Sequence, residues 1–242
     1  MNPTIPIYLD IFVISVTIII FWFIIYSLNY AYNSYGLIKS KKNLYLAILS
    51  AIIIGWLAIT TAIALRGTLL NFQSTPPKIM GVIVPPILAI MYLSSSVRVN
   101  NILIILPPSW LIYIQSFRIL IEIFLWLVYK NGSIPVQMTF SGLNYDILIG
   151  LSAPLIAYYS FSEKKWPKII PLLWNFAGLL LLTNIFIVAF LSAPTPFQQF
   201  FNEPANTLPA YFPYVWLPAF IVPFAFLVHI LSIKQIMRYV EY

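Results

Sequence analysis

Residues 11–31 read IFVISVTIIIFWFIIYSLNYA, twenty-one positions without a charged side chain. The hydrocarbon core of a bilayer takes roughly 20 apolar residues in a helix, so this stretch matches one crossing. The residues before it hold Asp10 and no Lys or Arg, and no clear small-residue cleavage site follows. It is therefore read as a retained helix and not as a cleaved leader.

Six further apolar stretches follow, at about 44–65, 80–93, 108–129, 146–161, 167–191 and 211–233. The third is short and interrupted by Pro85-Pro86, the fifth is also short, and residues 102–106 form an apolar shoulder ahead of the fourth. Together they predict an all-α integral membrane protein, a bundle of seven transmembrane helices built as one polytopic domain over 1–242. Composition agrees. Of 242 residues, 61% are hydrophobic and 8% charged, with a mean hydropathy of +0.92; a soluble domain has about 45–50% and about 25%. Too few polar side chains exist to cover a water-soluble globule.

Lys and Arg set the expected orientation, because they are retained on the cytoplasmic side of short loops. With seven spans, nine basic residues fall on the side holding Lys39, Lys41, Lys42, Arg98, Lys164, Lys165, Lys168, Lys234 and Arg238. Three fall on the other side: Arg66, Lys78 and Lys130. This predicts an outer N-terminus and a cytoplasmic C-terminus in a multi-pass protein of the cell (inner or plasma) membrane. Ser40 and Ser162 then belong to the inner surface, and Ser133 and Asn206 to the outer. The net charge of +7 is explained by these flanks, so nucleic acid is not a partner; membrane lipids are, with other membrane subunits as further candidates.

Several chemistries drop out. The chain has no Cys and a single His, His229, so disulfides, thiolate metal sites and bis-His haem are excluded within it. No metal and no cofactor is expected. Zincin, P-loop, dinucleotide and Gly-x-Ser-x-Gly signatures are absent. No Lys lies between Tyr211 and Ile233, which excludes a retinal Schiff base in the last span. His229 reads as an interfacial or hydrogen-bonded residue, and Asn175 and Asn184 as interhelical hydrogen-bond formers.

The fourth span carries the candidate site. Gln115, Arg118 and Glu122 fall within about 60° of one another at 100° per residue, so one helix face presents all three. Ionisable groups at mid-membrane face a bundle interior or a cavity. Arg118 and Glu122 stand at i, i+4 and are expected to pair. Asp146 opens the fifth span and reads first as a helix-capping residue, alternatively as a carboxylate facing the cavity of Glu122. Arg66 ends the second span, either snorkelling or paired with Asp146 or Glu203. Pro218 and Pro223 should kink the last span and open gaps beside it. The aromatic, Pro-rich segment 197–214 is a candidate cover over the bundle mouth or an interfacial turn.

The resulting expectation is a membrane protein with an intramembrane polar cavity that binds or translocates a small molecule, lipid or ion, its ligand-binding residues being Gln115, Arg118, Glu122, Asp146 and Arg66. The alternative is a non-catalytic subunit or assembly factor of a larger membrane complex. A lipid-modifying enzyme stands third.

Overall fold

The computed structural model describes residues 5–239. The first four residues of the N-terminal tail, expected to be free of Lys and Arg, lie outside them, as do residues 240–242. Among the described residues there is no strand. Eight helices follow in order: α1 Ile7–Ser34, α2 Lys39–Leu65, α3 Met80–Ser95, α4 Val97–Ile105, α5 Pro108–Lys130, α6 Ile147–Ser162, α7 Ile169–Leu191 and α8 Leu217–Tyr239.

Five of these (α1, α2, α5, α7 and α8) are long and apolar enough to cross a membrane. The α3–α4 pair would make a sixth, but it is bent by 68°. Its break lies in the serine run ending at Ser96, whose backbone is extended (φ −71°, ψ 129°). The expected apolar shoulder at 102–106 thus belongs to a separate helix, α4, which Pro107 ends because the residue before a proline avoids helical geometry. At sixteen residues α6 is about 24 Å long, short of a hydrocarbon core of about 30 Å. Seven full-length helices are therefore not what the chain builds. Pro85 and Pro86 sit inside α3 without ending it.

The last helix also departs from expectation. It was expected at 211–233 and runs over Leu217–Tyr239, opening with a π turn at Leu217–Ile221. Residues 211–215 form a bend and turn around Pro213. At the far end the helix continues past Lys234 and Arg238, because a charged residue can snorkel without ending a helix. Lys234 Nζ donates to the Ser94 carbonyl at 2.5 Å, tying α8 to the end of α3.

Packing centres on α8, which touches α3, α4, α5 and α7, while its π turn reaches α1 and α2. On α1, Leu9, Val13, Val16 and Ile20 are buried at helical spacing and meet Phe117, Ile121, Phe124 and Val128 of α5. Such a stripe is what seats one helix on its neighbours. Phe124 stacks on Phe12 and on Tyr214, at centroid distances of 6.2 and 5.6 Å. Tyr214 donates a short hydrogen bond to Asp10, closing α1 against the approach to α8. Pro223 has no N–H for the Ala219 carbonyl one turn earlier; Trp56 Nε1 of α2 donates to it at 3.0 Å. Ser40 and Ser162 are exposed, but Ser133 and Asn206 are buried, each held by loop hydrogen bonds.

α6 lies against α5 at Gly150, where a Cβ would stand 2.8 Å from Ile119 Cγ1 and 2.9 Å from Ile119 N. Gly55 of α2 has nothing within 4 Å of the same position. Gly55→Ala should raise the thermal midpoint in detergent, since Ala stabilises a helix interior by about 0.5–1 kcal/mol over Gly. Gly150→Ala should lower it, because overpacking costs typically about 1–3 kcal/mol. Equal gains at both positions would refute the close α5–α6 approach.

Candidate functional site

The helical run of α5 tightens to a 3₁₀ turn at Ile114–Ser116, and Arg118 follows two residues later. Gln115, Arg118 and Glu122 are all buried, the last two at 2% exposure. A guanidinium can only donate hydrogen bonds, and Arg118 sends its donors two ways. Nη2 forms an ion pair with Asp146 Oδ1 at the tip of α6. Nη1 lies 2.9 Å from His229 Nε2 on α8.

That second contact fixes the histidine. Because Nε2 accepts from Arg118, the ring proton resides on Nδ1, which donates to Asn175 Oδ1 of α7 at 2.8 Å. Asn175 Nδ2 in turn donates to the Pro171 carbonyl at 2.7 Å and to Ser232 Oγ at 3.1 Å. One hydrogen-bonded chain thus runs from α6 through α5 and α8 into α7. It depends on Gly178, since any Cβ there would collide with the His229 ring. The imidazole lies where another residue would carry its side chain.

Glu122 is held separately. Its Oε1 accepts from Asn144 Nδ2 at 2.6 Å, and the same amide donates to the Met138 carbonyl at 3.1 Å. Asn144 Oδ1 accepts from the Asp146 N–H at 3.1 Å, so one side chain holds the Glu122 carboxylate and the Asp146 backbone.

The expected Arg118–Glu122 pair is therefore replaced by Arg118–Asp146 and Glu122–Asn144. With Arg preceding Glu the i, i+4 order is the weaker one, and Asp146 reaches the guanidinium from another helix. Asp146 does stand at the cap position of α6, but its side chain makes no cap hydrogen bond. Gln115 lies on the predicted face yet donates to the Ala225 carbonyl of α8 at 3.2 Å, bracing that helix. Arg66 is exposed at the end of α2 and joins no ion pair; among the described residues the pairs are Arg118–Asp146 and Lys165–Glu163. Asn184 donates to a loop carbonyl, Leu143, at 2.7 Å.

Glu122, Asn144 and Asp146 line a cavity of about 140 Å³, joined by Thr195, Asn206 and Leu208 from the segment after α7. The remaining walls are largely apolar. That segment packs down through Asn206, whose N–H donates to the Ser192 carbonyl at 2.8 Å and whose Nδ2 donates to the Ala189 carbonyl at 3.0 Å. Phe197 and Phe201 instead point outward, at 48% and 74% exposure. The covering portion is thus 206–209 and not the phenylalanine run. Among the described residues, two buried acceptor atoms on the cavity wall have neither a hydrogen bond nor an ion pair, Glu122 Oε2 and Asn206 Oδ1, whereas Asp146 Oδ1 is held by Arg118. Among the described residues no three His, Cys, Asp or Glu side chains gather as a metal set.

A buried pair that loses one partner leaves an unpaired charge and can cost about 3–5 kcal/mol, whereas replacing both partners is far milder. Arg118→Ala should therefore lower the thermal midpoint in detergent more than Arg118→Leu combined with Asp146→Leu. The same double change at Arg118 and Glu122 should rescue less, since it leaves Asp146 stranded. Equal rescue by both doubles would contradict the observed pairing.

No curated protein and no solved structure matches the chain. A family model described as a domain of unknown function, DUF8737, matches residues 77–237. That stretch includes α3 to α7, nearly all of α8, every residue of the polar chain and all of the cavity lining but Phe72, while α1, α2 and Arg66 precede it. The protein belongs to the DUF8737 family.

Proposed function

We propose that this protein crosses the cell membrane seven times, with its N-terminus outside and its C-terminus in the cytoplasm, and binds a small organic cation in the cavity beside Glu122. The topology rests on the charge count of nine basic residues against three under the positive-inside rule. α3 and the short α6 serve as the third and fifth crossings, with the α3–α4 bend and Arg98 at the inner surface. In that frame the cavity lies toward the outer face, under the segment carrying Asn206 and Leu208.

One observation carries the ligand class. The two partnerless atoms on the cavity wall, Glu122 Oε2 and Asn206 Oδ1, are both acceptors, so they call for a donor. The charge count points the same way: Arg118 faces two carboxylates, and the imidazole that accepts from it is neutral. A second buried negative charge beside Asp146 is costly without a partner, so an ionised Glu122 calls for a cation. The apolar walls favour a protonated amine with a hydrocarbon body over a metal ion, which wants a shell of oxygens.

A second reading, a non-catalytic subunit of a larger membrane complex, is favoured by α2. Only Thr60 and Ala64 are buried on that helix, which leaves most of its apolar surface for lipid or for another chain.

Topology is testable because the chain has no Cys. In intact cells, Ser40→Cys and Ser162→Cys should be shielded from an impermeant thiol reagent. Ser141→Cys and Asn202→Cys, both at exposed positions, should react; labelling of Ser40→Cys from outside would invert the orientation.

For the ligand class, hexylammonium and hexanol make a matched pair. Hexylammonium should stabilise the purified protein and hexanol should not, and Glu122→Gln should weaken hexylammonium at least tenfold. Equal effects of the two compounds would leave the buried cluster as a strut between helices, and the second reading would stand.

A further inference from the structure

A second and larger cavity, about 370 Å³, lies on the other side of α8, among α1, α2, α3 and α4. It shares no lining residue with the Glu122 cavity. Its walls are aliphatic and aromatic, and the only hydroxyl is that of Ser27. Trp56 contributes its ring while its N–H is spent on Ala219. Ser27 is 6% exposed and its Oγ has no hydrogen-bond partner among the described residues. Apolar cavities of this kind do not hold water, and in a bilayer the surrounding medium is hydrocarbon.

One end of this cavity is marked by charge. Leu93, Val99 and Leu231 line it where α3 bends into α4. Arg98, exposed, directly precedes Val99, and Lys234 lies one turn beyond Leu231, its ammonium on the Ser94 carbonyl at 2.5 Å. That contact uses one of three ammonium donors. Lys42 donates to Asn33 Oδ1 at 2.8 Å where α1 gives way to α2. None of the described carboxylates (Asp10, Glu122, Asp146, Glu163 and Glu203) lies on the α1–α2 connection, the α3–α4 bend or the end of α8. Among the described residues, the charged side chains that flank the mouth of this hydrocarbon-lined space are thus all cations.

We propose that this cavity holds one acyl chain of an anionic phospholipid, whose phosphate lies at the α3–α4 bend against Arg98 and Lys234. The apolar walls take the chain, and the two cations select the headgroup. Juxtamembrane basic residues each strengthen binding to anionic lipid about fivefold, so the pair should give a preference of at least tenfold over a zwitterionic lipid with identical chains. The site is independent of Glu122 and of whatever that carboxylate binds.

Native mass spectrometry of the full chain, released from nanodiscs holding equal amounts of dioleoyl phosphatidylglycerol and dioleoyl phosphatidylcholine, tests this. A single phosphatidylglycerol adduct should persist with that preference. Arg98→Gln combined with Lys234→Gln should bring the two lipids within twofold of each other while an adduct remains. Ala89→Phe, which fills the cavity from α3, should remove both lipids, as should Ser27→Leu from α1 if the first variant does not fold. Glycerol phosphate, which has the headgroup charge without chains, should not displace the adduct at millimolar concentration. Equal retention of the two lipids by the unsubstituted chain would overturn the proposal. Retention of phosphatidylglycerol by both cavity-filling variants, or its displacement by glycerol phosphate, would do the same.

Discussion

A guanidinium held in hydrocarbon has to be given its partners by the chain around it, and much of this bundle is arranged to supply them to Arg118. Asp146 comes from the tip of α6, which is short enough to end at that depth. His229 comes from α8, with its proton placed by Asn175 of α7. Gly178 makes the space for the ring. The cost of leaving any of these groups unpaired in a medium without water is several kcal/mol, so their positions are mutually dependent. Four helices are locked by a single chain of hydrogen bonds and one ion pair.

The two carboxylates divide the roles. Asp146 is consumed by Arg118, so it neutralises the guanidinium and fixes α6 against α5. Glu122 is fixed at one oxygen by Asn144 and open at the other. Asn144 touches both, through its amide to Glu122 and its carbonyl to the Asp146 N–H. A structural pair and a chemically open carboxylate are thereby kept distinct although they share one wall. Their separation is achieved by a neutral side chain, which adds no charge to an already unbalanced group.

What could be read from the sequence was local. The face carrying Gln115, Arg118 and Glu122 follows from helical periodicity alone, and its burial follows from the expense of charge in a membrane. The partners did not follow, because they are tertiary. Asp146 looked like a cap since its position at a helix start is local information, whereas the guanidinium that draws its side chain away arrives from another helix. Asn144 sat in the same loop with no feature to distinguish it. Of the two readings of His229, interfacial or hydrogen-bonded, the hydrogen-bonded one holds at both ring nitrogens, and the interfacial one fails for a different reason. Hydropathy ends the last span near Ile233, which makes a histidine four residues earlier look interfacial; the helix continues to Tyr239, and His229 lies near its middle. Arg66 had two readings at its helix end, snorkelling or paired with Asp146 or Glu203, and sequence spacing does not choose between them; its exposure fits the first.

The π turn at Leu217–Ile221 acts as a vernier on everything beyond it. Each α-helical residue contributes about 100° of rotation and about 1.5 Å of rise, so a return to ordinary α hydrogen bonding there would turn the rest of α8 by about one such step. His229, Ser232 and Gln235 would swing together. Arg118, Asn175 and the Leu103 and Leu106 carbonyls, which Gln235 holds at 2.6 Å each, would lose their partners in the same movement. Three side chains of α8, through five hydrogen bonds to α4 and its end, α5 and α7, therefore read one angular setting, and no one of them can slip alone. The phase of the helix is a single, quantised variable, and the extra residue in that turn is what sets it.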